Sequence, residues 1–277
     1  MYDFLKFTES LGLVVDYANP DMRLRRCRTV DHPKRKNGAF WFGGKYGWAM
    51  NWATGAAGTW KNGELTRQDR DAFRDRMRAM EADVYRRRKD AVSNAHRMLR
   101  DSEIDTHPYL ISKALPEEKG FVLDNALLVP MADCLTNETT GLQRISLVDN
   151  EWSKKMLPGQ RAKGAVYVVG PRIGETILCE GYATGLSIAC ALRKLNLKVS
   201  VTVTFSAMNL VHVANLYGLK RMSIYADNDK SEAGEKAAIM TGLPYVMSDH
   251  AGHDANDDHL KLGLTEVCRK VIELRSQ

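Results

Sequence analysis

Three acidic groupings recur in the C-terminal half of this 277-residue chain. Glu180-Gly181 follows the apolar run Thr176–Cys179, Asp227-Asn228-Asp229 follows Ser223–Ala226, and Asp254-Ala255-Asn256-Asp257 lies in a turn. Carboxylates delivered at strand ends are what a cation-assisted phosphoryl transfer requires. Mg²⁺ takes hard oxygen ligands in octahedral geometry, usually one or two carboxylates completed by water and substrate phosphate. Two such ions can clamp the attacking and leaving oxygens of a displacement. Asp227 and Asp229 are two residues apart, so on extended backbone they face the same way and can present both carboxylates to one cation. Glu180 comes from a different strand and can ligate a metal or act as a base. Asp254 and Asp257 are further candidate ligands, although both types also cap helices, and Asn256 can do the same.

The elements that must position these groups are legible as a pattern. From residue 176 onward, apolar runs at 176–180, 199–205, 222–227 and 244–247 alternate with helical stretches at 184–194, 206–217, 231–241 and 256–274. Such alternation implies βαβ units and a parallel sheet flanked by helices. Right-handed crossovers gather the carboxyl ends of the strands on one edge, where ligands bind. Glu180 and Asp227 belong on that edge. Cys179 reads as a small core residue. Ser206 reads as a helix cap, without the His/Asp partners a nucleophile needs. His250 and His253 flank Asp254 as surface histidines or metal contacts.

Upstream, residues 102–164 read as a basic α+β subdomain that opens at His107-Pro108-Tyr109-Leu110. It contains a buried-type strand at 126–131, an alternating strand at 141–148, and the polar glycine loop 157–164. Residues 64–101 hold no Pro or Gly and form one long charged helix, with Lys89 as a candidate break. Its run Arg86–Lys89 is either a solvated face or a nucleic-acid backbone contact. Residues 1–63 form a β-rich module with a hairpin over 39–50 that turns at Gly43-Gly44. The division is thus 1–63, 64–101, 102–164 and 165–277.

Charge is unevenly placed. Residues 1–100 carry 21 Lys/Arg against 12 Asp/Glu, whereas the remainder carries 19 against 22. A basic front joined to a mildly acidic back suits a polyanion grip attached to a metal-binding part. Arg25, Arg26, Lys34, Arg35 and Lys36 can track phosphates. Four of the five tryptophans fall between Trp41 and Trp60. They either fill the module's core or stand exposed for base stacking, with Trp41 the candidate stacking ring. The module is ribbon-like, yet only Cys27 and His32 could ligate zinc, which needs four ligands, so no structural zinc is expected. Five scattered cysteines without a CxxC pair point to a reducing compartment, the cytoplasm. No apolar run approaches the roughly 18 residues of a membrane span, and no long apolar leader opens the chain.

Glu180-Gly181-Tyr182-Ala183-Thr184-Gly185, Ala226-Asp227-Asn228-Asp229 and Asp254–Asp257 resemble the Toprim domain, over about residues 165–275. That domain is shared by bacterial-type primases, topoisomerases, some nucleases and recombination proteins. Leu127–Met131, Leu142–Ile145 and Lys154–Gln160 resemble the segment preceding Toprim in phage and plasmid DNA primases, and His107–Leu110 its start. The resemblance implies RNA primer synthesis on a single-stranded DNA template from ribonucleoside triphosphates, with Mg²⁺ or Mn²⁺ held by Glu180, Asp227 and Asp229. It further implies that Arg144, Lys154, Lys155, Arg161 and Lys163 face template and nucleotide. No GxxxxGK[ST] loop occurs, so a separate replicative helicase is the expected partner. A phage-encoded protein of this kind would work in the bacterial host's cytoplasm. The rival expectations are a Toprim nuclease and a non-catalytic single-stranded-DNA-binding replication factor.

Overall fold

A computed structural model describes residues 1–171, 174–218 and 221–277. The chain divides into two compact units, Met1–Val84 and Tyr85–Gln277. The first begins with helix α1 (Tyr2–Ser10) and five strands: β1 (Leu13–Val14), β2 (Arg25–Thr29), β3 (Gly38–Phe42), β4 (Tyr46–Asn51) and β5 (Ala57–Lys61). They form an antiparallel sheet in sequence order. All five residues of β3 are buried, because the sheet is covered on both faces. Phe4 of α1 stacks on Phe42 and packs edge-on against Trp60 on one side. On the other, Trp41 meets Phe73 and Met80 of helix α2 (Arg67–Arg100). A reciprocal Thr66/Asp69 cap starts α2. The helix runs through Lys89 without a break, as expected of a stretch with no helix breaker.

The second unit takes in the C-terminal part of α2 and one ten-stranded sheet. Its antiparallel end contains β6 (Glu103–Asp105), β7 (Gly120–Leu123), β8 (Ala126–Asp133), β9 (Thr139–Val148) and β10 (Glu151–Met156), with the short helix α3 (Pro108–Ser112) between β6 and β7. Then come β11 (Ala165–Val169), β12 (Thr176–Cys179), α4 (Tyr182–Lys194), β13 (Ser200–Val203), α5 (Ala207–Tyr217), β14 (Met222–Ala226), α6 (Ala233–Thr241), β15 (Tyr245–Met247), α7 (Ala255–Leu262) and α8 (Leu264–Arg275). The main strand order is β10-β9-β8-β11-β13-β12-β14-β15.

The expected parallel sheet is present as β13-β12-β14-β15. The sheet as a whole is mixed. β11 pairs antiparallel with both β8 and β13, so the basic subdomain and the βα array share one continuous sheet. β12 and β13 are buried throughout, as parallel strands covered on both faces should be. One core joins Ile177, Val201 and Tyr225 to Ile188 of α4 and Val267 of α8. The other joins Leu178 and Ile224 to Leu210 and Val213 of α5 and Ala238 of α6. The expected final helix is two helices, interrupted at Gly263, whose φ of +89° lies where glycine is favoured. No helix among the described residues is long and apolar enough to cross a membrane.

Candidate metal-dependent active site

β12 lies inside the parallel array, and the chain leaves it in one direction and returns in the other. From β12 it passes through α4 to β13 on one side, then through α5 to β14 on the opposite side. A reversal of this kind opens a crevice outside the carboxyl ends of the two strands. Leu178 of β12 and Ile224 of β14 are register partners, so Glu180 and Asp227 emerge from neighbouring strands at the same edge.

Both side chains are half-buried, and Glu180 Oε1 and Asp227 Oδ1 are fully enclosed with no hydrogen-bond partner. An unsatisfied buried acceptor costs about 1–3 kcal/mol unless a proton or cation meets it. The Glu180 carboxyl is pushed up to about 7, chiefly by burial and then by the charge of Asp229, while the Ala207 N–H opposes the shift. Asp227 is pushed up to about 8 by burial and by the charges of Asp254, Glu180 and Asp229, with Lys154 pulling the other way. Asp229 is held below the usual carboxylate range by hydrogen bonds. Its Oδ1 accepts from the Ser231 hydroxyl at 2.5 Å, the Ser231 N–H at 2.7 Å and the Ala233 N–H at 3.4 Å. Two carboxyls short of compensation beside one firmly ionised carboxylate fit a divalent cation. Among the described residues no three His, Cys, Asp or Glu side chains form a closed metal cage. Mg²⁺ does not ask for one, since phosphate and water complete its shell.

Asp254 and Asp257 have a structural task as well. Asp254 caps α7, its Oδ1 accepting from the Asn256 and Asp257 N–H groups at 2.7 and 2.8 Å, and Asp257 answers with the reciprocal bond. The other Asp254 oxygen accepts from the Thr184 hydroxyl at 2.9 Å, which ties α7 to α4. His253 pairs with Asp258 at 2.9 Å and lies 2.9 Å from Lys261 Nζ. Residues without a sequence signal of their own complete the setting. Asn228 forms an isolated antiparallel bridge with His253, and its amide donates to the Ser248 carbonyl at 2.9 Å. Gly234 lies so close to Asp227 that an added Cβ would stand 2.4 Å from its carbonyl oxygen.

The sheet sorts three of the five basic candidates by face, and the other two lie in the loop between β10 and β11. Lys154 is register partner of Ile145, on the side of Tyr109 and Tyr182, and its ammonium lies 5.6 Å from the Tyr109 ring centre. Lys155 is register partner of Arg144, which stands opposite Leu128 on the other face. Only Lys154 of the adjacent pair therefore faces the acidic centre, because neighbours on a strand point oppositely. Arg161 is engaged by Asp133 at 2.5 Å. Lys163 is exposed near His212, whose imidazole is held below its usual range by burial and by the charges of Lys163 and Arg161.

In the first unit the structure corrects one expectation. Trp41 is fully buried and its indole donates to Met80 Sδ at 2.9 Å, so it is a core residue with no face to offer a base. The strand alternation that puts Phe40 and Phe42 against α1 puts Trp41 against α2. Arg25 is held by both oxygens of Asp21, and Arg26 lies over the exposed Trp52 ring at 4.0 Å. Lys34, Arg35 and Lys36 are exposed. Cys27 belongs to the core and His32 to the surface.

Compared with known families, residues 175–264 match a Toprim domain model. No curated protein matches the chain. The match spans both orphaned carboxyls, Asp229 and the α7 cap, and ends one residue after Gly263. The segment that builds the acidic edge is thus similar to a Toprim domain.

Proposed function

We propose that this protein is a DNA primase, joining ribonucleotides into short RNA primers on single-stranded DNA. The observation that carries the reading is the pair of enclosed, unpartnered oxygens, Glu180 Oε1 and Asp227 Oδ1, at the reversal point of a Toprim sheet. Toprim domains generally bind Mg²⁺ through acidic residues, and Glu180, Asp227 and Asp229 are the side chains that would hold it here. When bound, the ion supplies Lewis acidity to the 3′-hydroxyl and neutralises phosphate charge.

The chain's own residues account for the rest. A Glu180 carboxyl pushed up to about 7 is balanced between its two forms near neutrality, as a general base or acid should be. Asp229 stays ionised and fixes negative charge at the site. Lys154, on the same face, offers a compact cation to a triphosphate. The segments around Leu127–Met131 and Lys154–Gln160 favour primer synthesis over the other Toprim chemistries. Ribonucleoside triphosphates and a separate helicase follow as substrate and partner.

The test is incorporation of labelled ribonucleotides on single-stranded DNA with Mg²⁺ or Mn²⁺. Template-dependent products that disappear in Asp227→Asn support the proposal. Template cleavage without synthesis would establish a nuclease instead, and binding without any turnover a non-catalytic replication factor.

A further inference from the structure

Tyr109 of α3 is fully buried. Its ring belongs to one row of the antiparallel sheet, in which Leu127 of β8, Ile145 of β9 and Lys154 of β10 are successive register partners. Leu127 and Ile145 share a core cluster with the ring. The Lys154 ammonium, at the open end of the row, stands 5.6 Å from the ring centre, within cation–π reach. Trp152 is two residues before Lys154 and shares its face of the strand, and it meets the Tyr109 ring edge-on at 5.3 Å. Lys154 is exposed, and among the described residues its ammonium makes no hydrogen bond or ion pair. The ring is what that flexible side chain leans on.

Both ends of α3 are tied down. At its start the Tyr109 N–H donates to His107 Nδ1 at 3.1 Å, and the other nitrogen of that imidazole lies 3.3 Å from the Asn125 carbonyl, in the turn between β7 and β8. At its end the Lys113 carbonyl accepts from Asn256 Nδ2 at 2.8 Å, and the same amide donates to Ser187 Oγ at 3.0 Å. Ser187 lies in α4, which follows Glu180, and Asn256 in the first turn of α7, which Asp254 caps. The ring is thus a fixed body between β10 and the helices that border the acidic edge. The charge of Lys154 reaches Asp227, where it opposes the rise caused by burial and the neighbouring carboxylates. The Tyr109 hydroxyl is enclosed without a hydrogen-bond partner, and burial pushes it up to about 12, so the oxygen has nothing to offer a ligand and the ring has.

We propose that Tyr109 is a positioning residue: its ring holds the Lys154 ammonium on the side of the acidic edge, ready for the phosphates of an incoming nucleotide. An unsupported lysine loses its rotamer freedom when it grips a phosphate, and a ring that orders it beforehand lowers that cost. The effect belongs to binding and not to turnover, since the buried ring touches no reacting atom. That the phosphates are a ribonucleotide's rests on the primase reading, whereas the hold of the ring on Lys154 does not.

The hold is read first, without nucleotide, by nuclear magnetic resonance. The lysines of the full chain are methylated with isotopically labelled formaldehyde, which keeps their charge, and the Lys154 signal is identified by its absence in Lys154→Arg. Lying over the ring, it should be shifted upfield of the exposed lysines, keep that shift in Tyr109→Phe and lose it in Tyr109→Leu. Steady-state primer synthesis then reads the consequence, at a temperature where melting curves show each variant folded. Tyr109→Leu should raise KM for ribonucleotides about two- to fivefold, the reach of an exposed cation–π contact, with kcat within about twofold of wild type. Tyr109→Phe should match the wild type, and in a Lys154→Met background Tyr109→Leu should raise KM no further. A wild-type Lys154 signal at the position of an exposed lysine would overturn the proposal, whether or not Tyr109→Leu folds. So would an equal rise in KM with and without Lys154. A protein that made no primers would end the primase reading, and the Lys154 signal would still decide the role of the ring.

Discussion

Asn228 donates its backbone N–H to the His253 carbonyl at 3.0 Å, which joins the loop carrying Asp227 and Asp229 to the loop that ends in the Asp254 cap. Its side chain adds a second tie, to the Ser248 carbonyl at 2.9 Å. The middle residue of the acidic triplet is thus a positioning residue whose own side chain points to protein. Asn228→Ala should cost about 0.5–1.5 kcal/mol of stability, the worth of one hydrogen bond. It should raise the Mg²⁺ concentration needed for half-maximal primer synthesis several-fold, because Asp227 and Asp229 lose their fixed spacing. A Mg²⁺ titration at fixed template and nucleotide checks this, and an unchanged half-saturation point would count against it.

The raised carboxyls make the metal-free protein sensitive to pH in a definite sense. Asp227 titrates at about 8 in the folded chain against an ordinary value of 3.8. Between those values the native state holds a proton that the unfolded state has lost, so this group makes stability fall as pH rises from about 4 to about 8. Carboxyls held low, such as Asp133 and Asp229, act with the opposite sign and below about pH 4. Asp227→Asn should therefore be more stable than wild type at pH 8 in EDTA, by about 1–3 kcal/mol, and the difference should shrink toward pH 5. Added Mg²⁺ should raise the melting temperature of the wild type at pH 8 more than that of the variant. Parallel melting curves for the two proteins across this range would refute the assignment.

Much of the C-terminal half was legible in the sequence because its signals are local. Apolar runs of four to seven residues, each followed by a helix, fix the order of a βα array, and an acidic residue directly after such a run must lie at its edge. What the sequence hid depends on pairing partners. Nothing local says that β11 pairs with β8 as well as β13 and so fuses two expected subdomains into one sheet. The faces of Lys154 and Lys155 depend on the register of β10 against β9, since a slip of one residue would exchange them. Trp41 was ambiguous for the same reason: in a strand covered on both faces, alternation gives no exposed side. Gly263 was visible as a residue but not as the break between two helices.

Trp41 supplies a direct check on that point. Its ring is enclosed by Tyr46, Phe73 and Met80, so Trp41→Ala should destabilise the N-terminal unit by about 3–5 kcal/mol, in the range for deleting a large core aromatic. Trp52→Ala, which removes a ring 44% exposed beneath Arg26, should cost about 0.5–1 kcal/mol. Urea unfolding monitored by tryptophan fluorescence and circular dichroism separates the two. At temperatures where it stays folded, Trp41→Phe should bind oligo-dT as the wild type does. A loss of affinity there without a loss of stability would restore the ring to a binding role.

Gly234, near the start of α6, offers the sharpest test of how closely Asp227 is placed. A methyl group there would stand 2.4 Å from the Asp227 carbonyl oxygen and 3.0 Å from its nitrogen, and both are backbone atoms that cannot swing aside. Either α6 must lift or the Asp227 peptide must move. The first cost is that of overpacking, about 1–3 kcal/mol. The second is felt in the chemistry, where a displacement of about 1 Å lowers a rate by about a hundredfold. Gly234→Ala should therefore lose primer synthesis far beyond its loss of stability. Lys236→Ala, two residues on and exposed on the same helix, should change stability by less than about 0.5 kcal/mol and leave synthesis intact. Comparison of turnover at saturating Mg²⁺ with melting temperature for the two variants decides the matter. If Gly234→Ala turned over at the wild-type rate, the acidic edge would not need Asp227 where the fold holds it.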